Sequence, residues 1–406
     1  MKIGCGVSSA PSAELAAREA AESARRDVAD AKLALVFVSA AYDDAEIGAR
    51  AARAALDSDV PIIGGTAGGA VHANAVVAKR GASVLLVGGD DVEVACAIAP
   101  AKTPSLIEAV PAAEEIARAA DAASRRGFAH YACLVFGPGV FVDGEALVAA
   151  ARKGAGARAQ LAGGLTGDDL TLDRPRIFAG DELRNDRVAF AGLFSKKPLG
   201  VAAKHGFKPV GPERVVTRAD GVLLLELDGR PALDVWIEDA RAAGATIPDD
   251  PAAIALYLAS HYELGFVPGG DDVPGSERAA GARELVARAP LAVRPDGAIQ
   301  MSASVAERTA CQVVSATNAD MMAAAERAAI MAAKRAGGEI AGAFLFPCSG
   351  RLVALGADLQ REHGRVQATL GGVPTAGACV FGEIVRAARE SDAFFNTTLG
   401  VVAFPR

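Results

Sequence analysis

Four side chains able to do chemistry stand within one stretch, residues 344–383: a thiol (Cys348), a guanidinium (Arg351), an imidazole (His363) and a carboxylate (Glu383), set among glycines. A thiol within hydrogen-bond reach of an imidazole makes a nucleophile and its base. A guanidinium makes a clamp for a carboxylate, or one half of a structural ion pair. Each group also has a plainer role. Cysteine is often buried as a small apolar residue. His363 shares a helical stripe with Leu359, Val366 and Leu370, away from the solvated Arg361, Glu362 and Arg365, which suits a hydrogen-bonded core histidine better than a base. Arg351 beside apolar strands needs an anion, and Glu383 or a bound carboxylate would supply one. The residue pattern leaves clamp and ion pair both open.

The elements that must position these groups read as strand, polar turn, helix and Gly-rich strand. Residues 342–346 are a short apolar run closed by Pro347, so Cys348-Ser349-Gly350-Arg351 falls at the C-terminal end of a strand, where α/β sheets hold ligands. Asp358 caps a helix that runs to Leu370 and stops at Gly371-Gly372. The next strand starts at Val373 and ends in Phe381-Gly382-Glu383-Ile384; if the two strands are neighbours, Cys348, Arg351 and Glu383 converge.

The same order occurs twice more. Strand 33–38, helix 43–56 and Gly64-Gly65-Thr66-Ala67-Gly68-Gly69 form one copy; strand 132–136, helix 143–153 and Gly163-Gly164-Leu165-Thr166-Gly167-Asp168 form a second. From Phe37 to Gly64 and from Phe136 to Gly163 is 27 positions in both, against 31 from Phe346 to Gly377. Three copies of one supersecondary unit follow, with equivalent Gly-rich strands and a glycine in each where another backbone or a ligand comes close. A first helix, 11–32, buries a thin stripe of alanines that permits close approach to a sheet. Thr317-Asn318-Ala319-Asp320 is a capping box for a helix through Arg335. Residues 201–218 read as a bridge, and strands and helices mix without strict alternation. The expected class is α+β (mixed α/β), with stacked mixed β-sheets covered by helices, in two domains, 1–215 and 216–406.

Composition narrows the function. The 406 residues are 51% hydrophobic, which suits a globular chain with ample core. Forty-two Lys and Arg against 49 Asp and Glu give a net charge of −7, and no basic cluster is interleaved with aromatics, which argues against a nucleic-acid surface. Six scattered cysteines form no CxxC pair and suit reduced thiols in a cytoplasm. No apolar h-region precedes Cys5, and no run reaches the roughly 18 apolar residues of a membrane span. Gly64–Gly69 lacks the Lys-Ser/Thr of a P-loop and the GxGxxG spacing, so nucleotide binding is not expected.

GGTAGG, GGLTGDD with Phe178-Ala179-Gly180, His205-Gly206-Phe207-Lys208-Pro209, Glu226-Leu227-Asp228-Gly229-Arg230-Pro231, Cys348-Ser349-Gly350-Arg351 and Phe381-Gly382-Glu383-Ile384 with Asn396-Thr397-Thr398 together resemble the FIST family over nearly the whole chain. The resemblance implies paired FIST N-terminal and C-terminal domains forming an intracellular sensory module for small ligands, amino acids or other small carboxylates first. It carries over Thr66, Asp168, Cys348, Ser349, Arg351, Glu383, Asn396 and Thr398 as ligand-binding candidates. The His that commonly precedes the Asn is absent here, where Phe395 stands. Some relatives are haem-binding nitric-oxide sensors that work with histidine kinases, which makes haem a candidate cofactor and His205, His72 and His363 candidate axial ligands. With no kinase or DNA-binding segment left over, a signal must pass to a separate partner such as a histidine kinase. A cytoplasmic sensor without catalysis leads, ahead of the haem sensor and a Cys348 enzyme.

Overall fold

The computed structural model describes residues 1–56, 59–72, 75–77, 79–180, 182–267, 285–386 and 393–406. Its first copy comprises β1 (Lys2–Ser8), α1 (Ala13–Asp27), β2 (Ala31–Ser39), α2 (Ala45–Ala55), β3 (Ile62–Ala67), β4 (Ala70–His72), β5 (Ala75–Val77) and β6 (Ala82–Gly88). The second repeats it with β7 (Val92–Pro100), α3 (Val110–Arg125), β8 (His130–Pro138), α4 (Gly144–Ala155), β9 (Gln160–Thr166), β10 (Ile177–Ala179), β11 (Glu182–Arg184) and β12 (Arg187–Ser195). The third opens with β13 (Gly200–Lys204) and is then interrupted. The insertion holds β14 (Lys208–Pro209), β15 (Arg214–Asp220), β16 (Leu223–Leu227), β17 (Arg230–Pro231), α5 (Ala232–Ala242), α6 (Pro251–His261), β18 (Tyr262–Phe266), β19 (Val286–Arg288), β20 (Pro290–Val293), β21 (Ile299–Met301) and β22 (Ala310–Ser315). The third copy resumes with α7 (Asn318–Arg335), β23 (Ile340–Pro347), α8 (Ser349–Leu355), α9 (Leu359–Thr369), β24 (Thr375–Ala378), β25 (Glu383–Arg386), β26 (Ala393–Phe395) and β27 (Leu399–Pro405).

Three six-stranded sheets result, β1-β6-β2-β3-β10-β11, β7-β12-β8-β9-β25-β26 and β13-β27-β23-β24-β4-β5. Each copy therefore lends its fourth and fifth strands to another copy's sheet: the first to the third, the third to the second, the second to the first. The lent strand always pairs antiparallel with the host's Gly-rich strand, as in Ile177 opposite Gly65, Glu383 opposite Gly164 and Ala376 opposite His72. The expected equivalence of the Gly-rich strands holds in atomic detail. A Cβ on Gly64, Gly163 or Gly377 would lie 2.1, 2.0 or 1.8 Å from the carbonyl oxygen of Val36, Val135 or Leu345 on the parallel neighbour. The close approach is thus to a backbone within the sheet.

The central strands are apolar on both faces because both faces are covered. Leu33, Leu35 and Phe37 of β2 turn to the shared centre, while Ala34, Val36 and Val38 turn to α1 and α2. At the centre Phe37 meets Phe136 and Phe344 at ring-centroid distances of 5.4 and 5.7 Å. The outer faces of the second and third sheets pack under α3 with α4 and under α7 with α9. The alanine stripe of α1 works as expected, since a Cβ on Gly6 of β1 would meet the Ala20 carbonyl at 1.9 Å. The Thr317–Asp320 capping box is present. Two expectations change. Residues 348–351 are no turn, because Cys348 caps α8 directly. Residues 201–218 are no bridge, because β13 forms the edge of the third sheet and β14 and β15 belong to the insertion. The expected division at 215/216 falls inside β15. The insertion's nine-stranded sheet packs its own core around Trp236. Among the described residues no helix is long and apolar enough to cross a membrane.

Candidate functional site

The insertion lies over the junction of the second and third copies and leaves a cavity of about 200 Å³. The second copy contributes Val140, Leu165, Leu170 and Leu172, α6 contributes Leu256 and Ser260, and the third copy contributes Cys348, Ser349, Val353, Phe381 and Asn396. Three of these walls are bulky residues in the left-handed backbone region, Val140 at φ 58°, Leu170 at 69° and Leu172 at 61°; Thr397, beside Asn396, is at 51°. Such positions carry strain of about 1–3 kcal/mol each and persist where the surroundings over-determine them, which is characteristic of binding sites.

One edge of the cavity is polar. The Asn396 side-chain oxygen accepts from Ser302 Oγ and, at 3.3 Å, from the Ala289 N–H, which fastens the insertion to the third copy. Ser349 Oγ is buried and has no hydrogen-bond partner in the protein. Behind Cys348 lie two fully buried carboxyl groups. Thr397 Oγ1 donates to Glu263 and Thr398 Oγ1 donates to Glu383, leaving Glu263 Oε2 and Glu383 Oε1 unpartnered. Burial pushes the Glu263 carboxyl up to about 8 against the opposing Thr397 hydrogen bond, and pushes Glu383 well above the usual carboxylate range. Burial, reinforced by Glu383, also raises the Cys348 thiol, which keeps it protonated.

Cys348 and Glu383 do converge, but Arg351 takes another partner. Its Nε and one Nη reach Glu362 at 2.8 and 2.5 Å, and the remaining N–H groups donate to the carbonyls of His205 (3.2 Å), Thr397 (2.9 Å) and Met321 (2.5 Å). All five donors of the guanidinium are engaged within the protein, so of the two readings left open Arg351 takes the structural ion pair, with Glu362 and not Glu383 as its partner. Glu362, expected among solvated residues, is buried because it borders the Leu359–His363–Val366 stripe where α9 packs on α8. His363 lines a separate space of about 10 Å³ with Val71 and Leu345, away from the cavity that Cys348 lines. The thiol–imidazole pair that the alternative enzyme reading needs is not assembled, and His363 packs on the apolar stripe as expected.

The haem ligands fare no better. His205 Nε2 lies 3.0 Å from the Leu285 carbonyl and its Nδ1 accepts from the Phe207 N–H at 2.9 Å, so both ring nitrogens are held by backbone. The space at His363 has room for about one water and none for a porphyrin. His72 is placed in β4, but its side chain lies outside the described residues. Neither His205 nor His363 is placed to fit haem.

Residues 32–230 match the FIST N domain and residues 232–386 the FIST C domain. The chain belongs to the FIST family. Domains of this family act in signal transduction as sensors. Uncharacterized proteins of Mycobacterium are similar to it: one from Mycobacterium bovis is 30% identical over 55% of this chain and 54% of its own length, and one from Mycobacterium tuberculosis is 26% identical over 95% and 94%. The chain thus spans about half the length of the first of these relatives. Among solved structures, cyanuric acid hydrolase from A. caulinodans aligns over all of both chains at 9% identity and a TM-score of 0.33, and a chorismatase at 9% and 0.31 over 99% and 97%. At that distance neither bears on what this FIST chain does.

Two residues carried over from the FIST motifs serve the scaffold. Thr66 Oγ1 accepts from the Arg176 N–H at 2.9 Å, fastening β3 to the lent strand β10. Asp168 is fully buried and accepts from Thr171 Oγ1 and the N–H groups of Leu172, Asp173 and Arg174 at 3.0–3.1 Å, which shapes the loop that presents Leu170 and Leu172 to the cavity. Thr398 acts through Glu383. The apolar walls carry little signature in the sequence. Their one signal was α6, PAAIALYLASH, which is apolar around its circumference and so needs cover on more than one side.

Proposed function

We propose that this FIST chain is a sensor whose small ligand occupies the cavity between α6, α8 and the 168–174 loop, and that it signals through a separate protein such as a histidine kinase. The observation that carries the proposal is the conjunction of an apolar cavity, a polar edge with an unpartnered buried hydroxyl at Ser349, and three strained wall residues. Binding without turnover is the reading these groups favour. The Cys348 thiol is held protonated by burial and by the neighbouring Glu383 carboxyl, whose own pKa burial pushes up. An amino acid held by Arg351 is not part of the proposal, since that guanidinium has no donor to give. The test is a thermal melt of the full chain against a metabolite panel, repeated with Leu256→Trp, which adds bulk at the cavity's half-exposed α6 wall. A ligand of this site shifts the wild-type transition and leaves the variant's in place. Equal shifts in both proteins would move the site elsewhere, and conversion of a panel compound would revive the enzyme reading.

A further inference from the structure

The inner cavity does not end at Ser349. Leu170, Ser349 and Val353 are also walls of a second, larger hollow of about 880 Å³ lined by all three copies. Where the inner space is apolar, the outer one presents Lys79 and Arg80. The acids beside them are already committed. Asp168 accepts four hydrogen bonds from its own loop, and Asp169 pairs with Arg174 at 3.0 Å. Among the described residues neither Lys79 nor Arg80 has a carboxylate partner. Arg80 is steadied by donating Nε to the Ala41 carbonyl at 3.2 Å and by lying over the Tyr42 ring, contacts that engage no carboxylate. At the neck, a Cβ on Gly68 would stand 3.0 Å from Ser349 Oγ, so a side chain there would crowd the hydroxyl.

We infer that the ligand is an amphipathic anion, with its apolar body in the inner cavity, its neck at Ser349 and its anionic head on Lys79 and Arg80. This deepens the proposed function and rests on it. The chemistry is the joint presence of an apolar chamber, which rewards an alkyl or aryl body, and a rim with two cations that have no ion-pair partner among the described residues, which attracts a carboxylate or a phosphate. The unpartnered Ser349 hydroxyl between them would donate to the oxygen that follows the apolar part.

The test is calorimetric titration of the full-length protein with octanoate, octyl phosphate and 1-octanol at low salt. The expected result is that at least one anion binds tenfold or more tightly than the alcohol, that this advantage shrinks as salt is raised, and that Lys79→Ala combined with Arg80→Ala brings the ratio close to one. Leu256→Trp should weaken all the probes that bind. An alcohol as tight as both anions, or a preference that survives the double substitution, overturns the anionic head and leaves the cavity reading standing. Absence of binding by all three probes, or binding indifferent to Leu256→Trp, overturns both.

Discussion

Arg351 is the residue on which the candidate site is hung, because it joins α8 to α9, to the start of α7, to the entry of the insertion and to the Thr397 loop. Arg351→Ala leaves Glu362 as an uncompensated buried charge, and the expected cost is about 3–5 kcal/mol of stability; urea denaturation measures it, and a variant as stable as wild type would contradict the hub. Pairing Arg351→Met with Glu362→Leu should recover part of the loss. That a guanidinium among apolar strands needs a partner was legible in the sequence. The identity of the partner was not, because Glu362 sits one step off the apolar stripe and reads as solvated until α8 is seen to be a helix packed against it. The buried acids give a pH signature. Glu263 binds its proton more tightly in the folded state, with its pKa raised from 4.5 to about 8, so its contribution is present in full below 4.5 and is lost as pH rises through 8. Glu263→Gln is expected to flatten the decline in stability between pH 5 and 8; denaturation midpoints for both proteins across that range decide it, and parallel curves would count against a proton held there.

Among the elements, the Gly-rich strands matter most, since each lies between a parallel neighbour of its own copy and a strand lent by another. Gly64 and Gly163 have φ of 129° and 136° and no room for a Cβ. Gly64→Ala and Gly163→Ala are therefore each expected to destabilise by about 2 kcal/mol or more, and by similar amounts if the copies are equivalent. Chemical denaturation of the two variants checks both statements; a neutral substitution at either would break the equivalence. The equal 27-residue spacing in the first two copies makes this correspondence legible in the sequence. The exchange of strands was not readable, because pairing between copies depends on which edge is nearest in space, and β4, β10 and β25 are too short and too ordinary in sequence to announce their hosts.

At the scale of the whole molecule, strand exchange ties together the two expected domains. The second sheet borrows β25 and β26, so residues 1–230 alone lack two strands of that sheet and are not expected to fold; a dispersed amide NMR spectrum of that fragment would contradict this. The α+β class and the repeat were legible from alternating apolar strands and glycines. The cavity was not, because its walls come from three segments far apart in sequence and meet only once the insertion closes over the copies. That closure is the central claim, and amide hydrogen exchange tests it most directly, measured with and without a ligand identified by the melting screen. The expected result is slowed exchange confined to α6, the 168–174 loop and α8. Unchanged exchange in those three segments, with protection appearing elsewhere, would contradict the account.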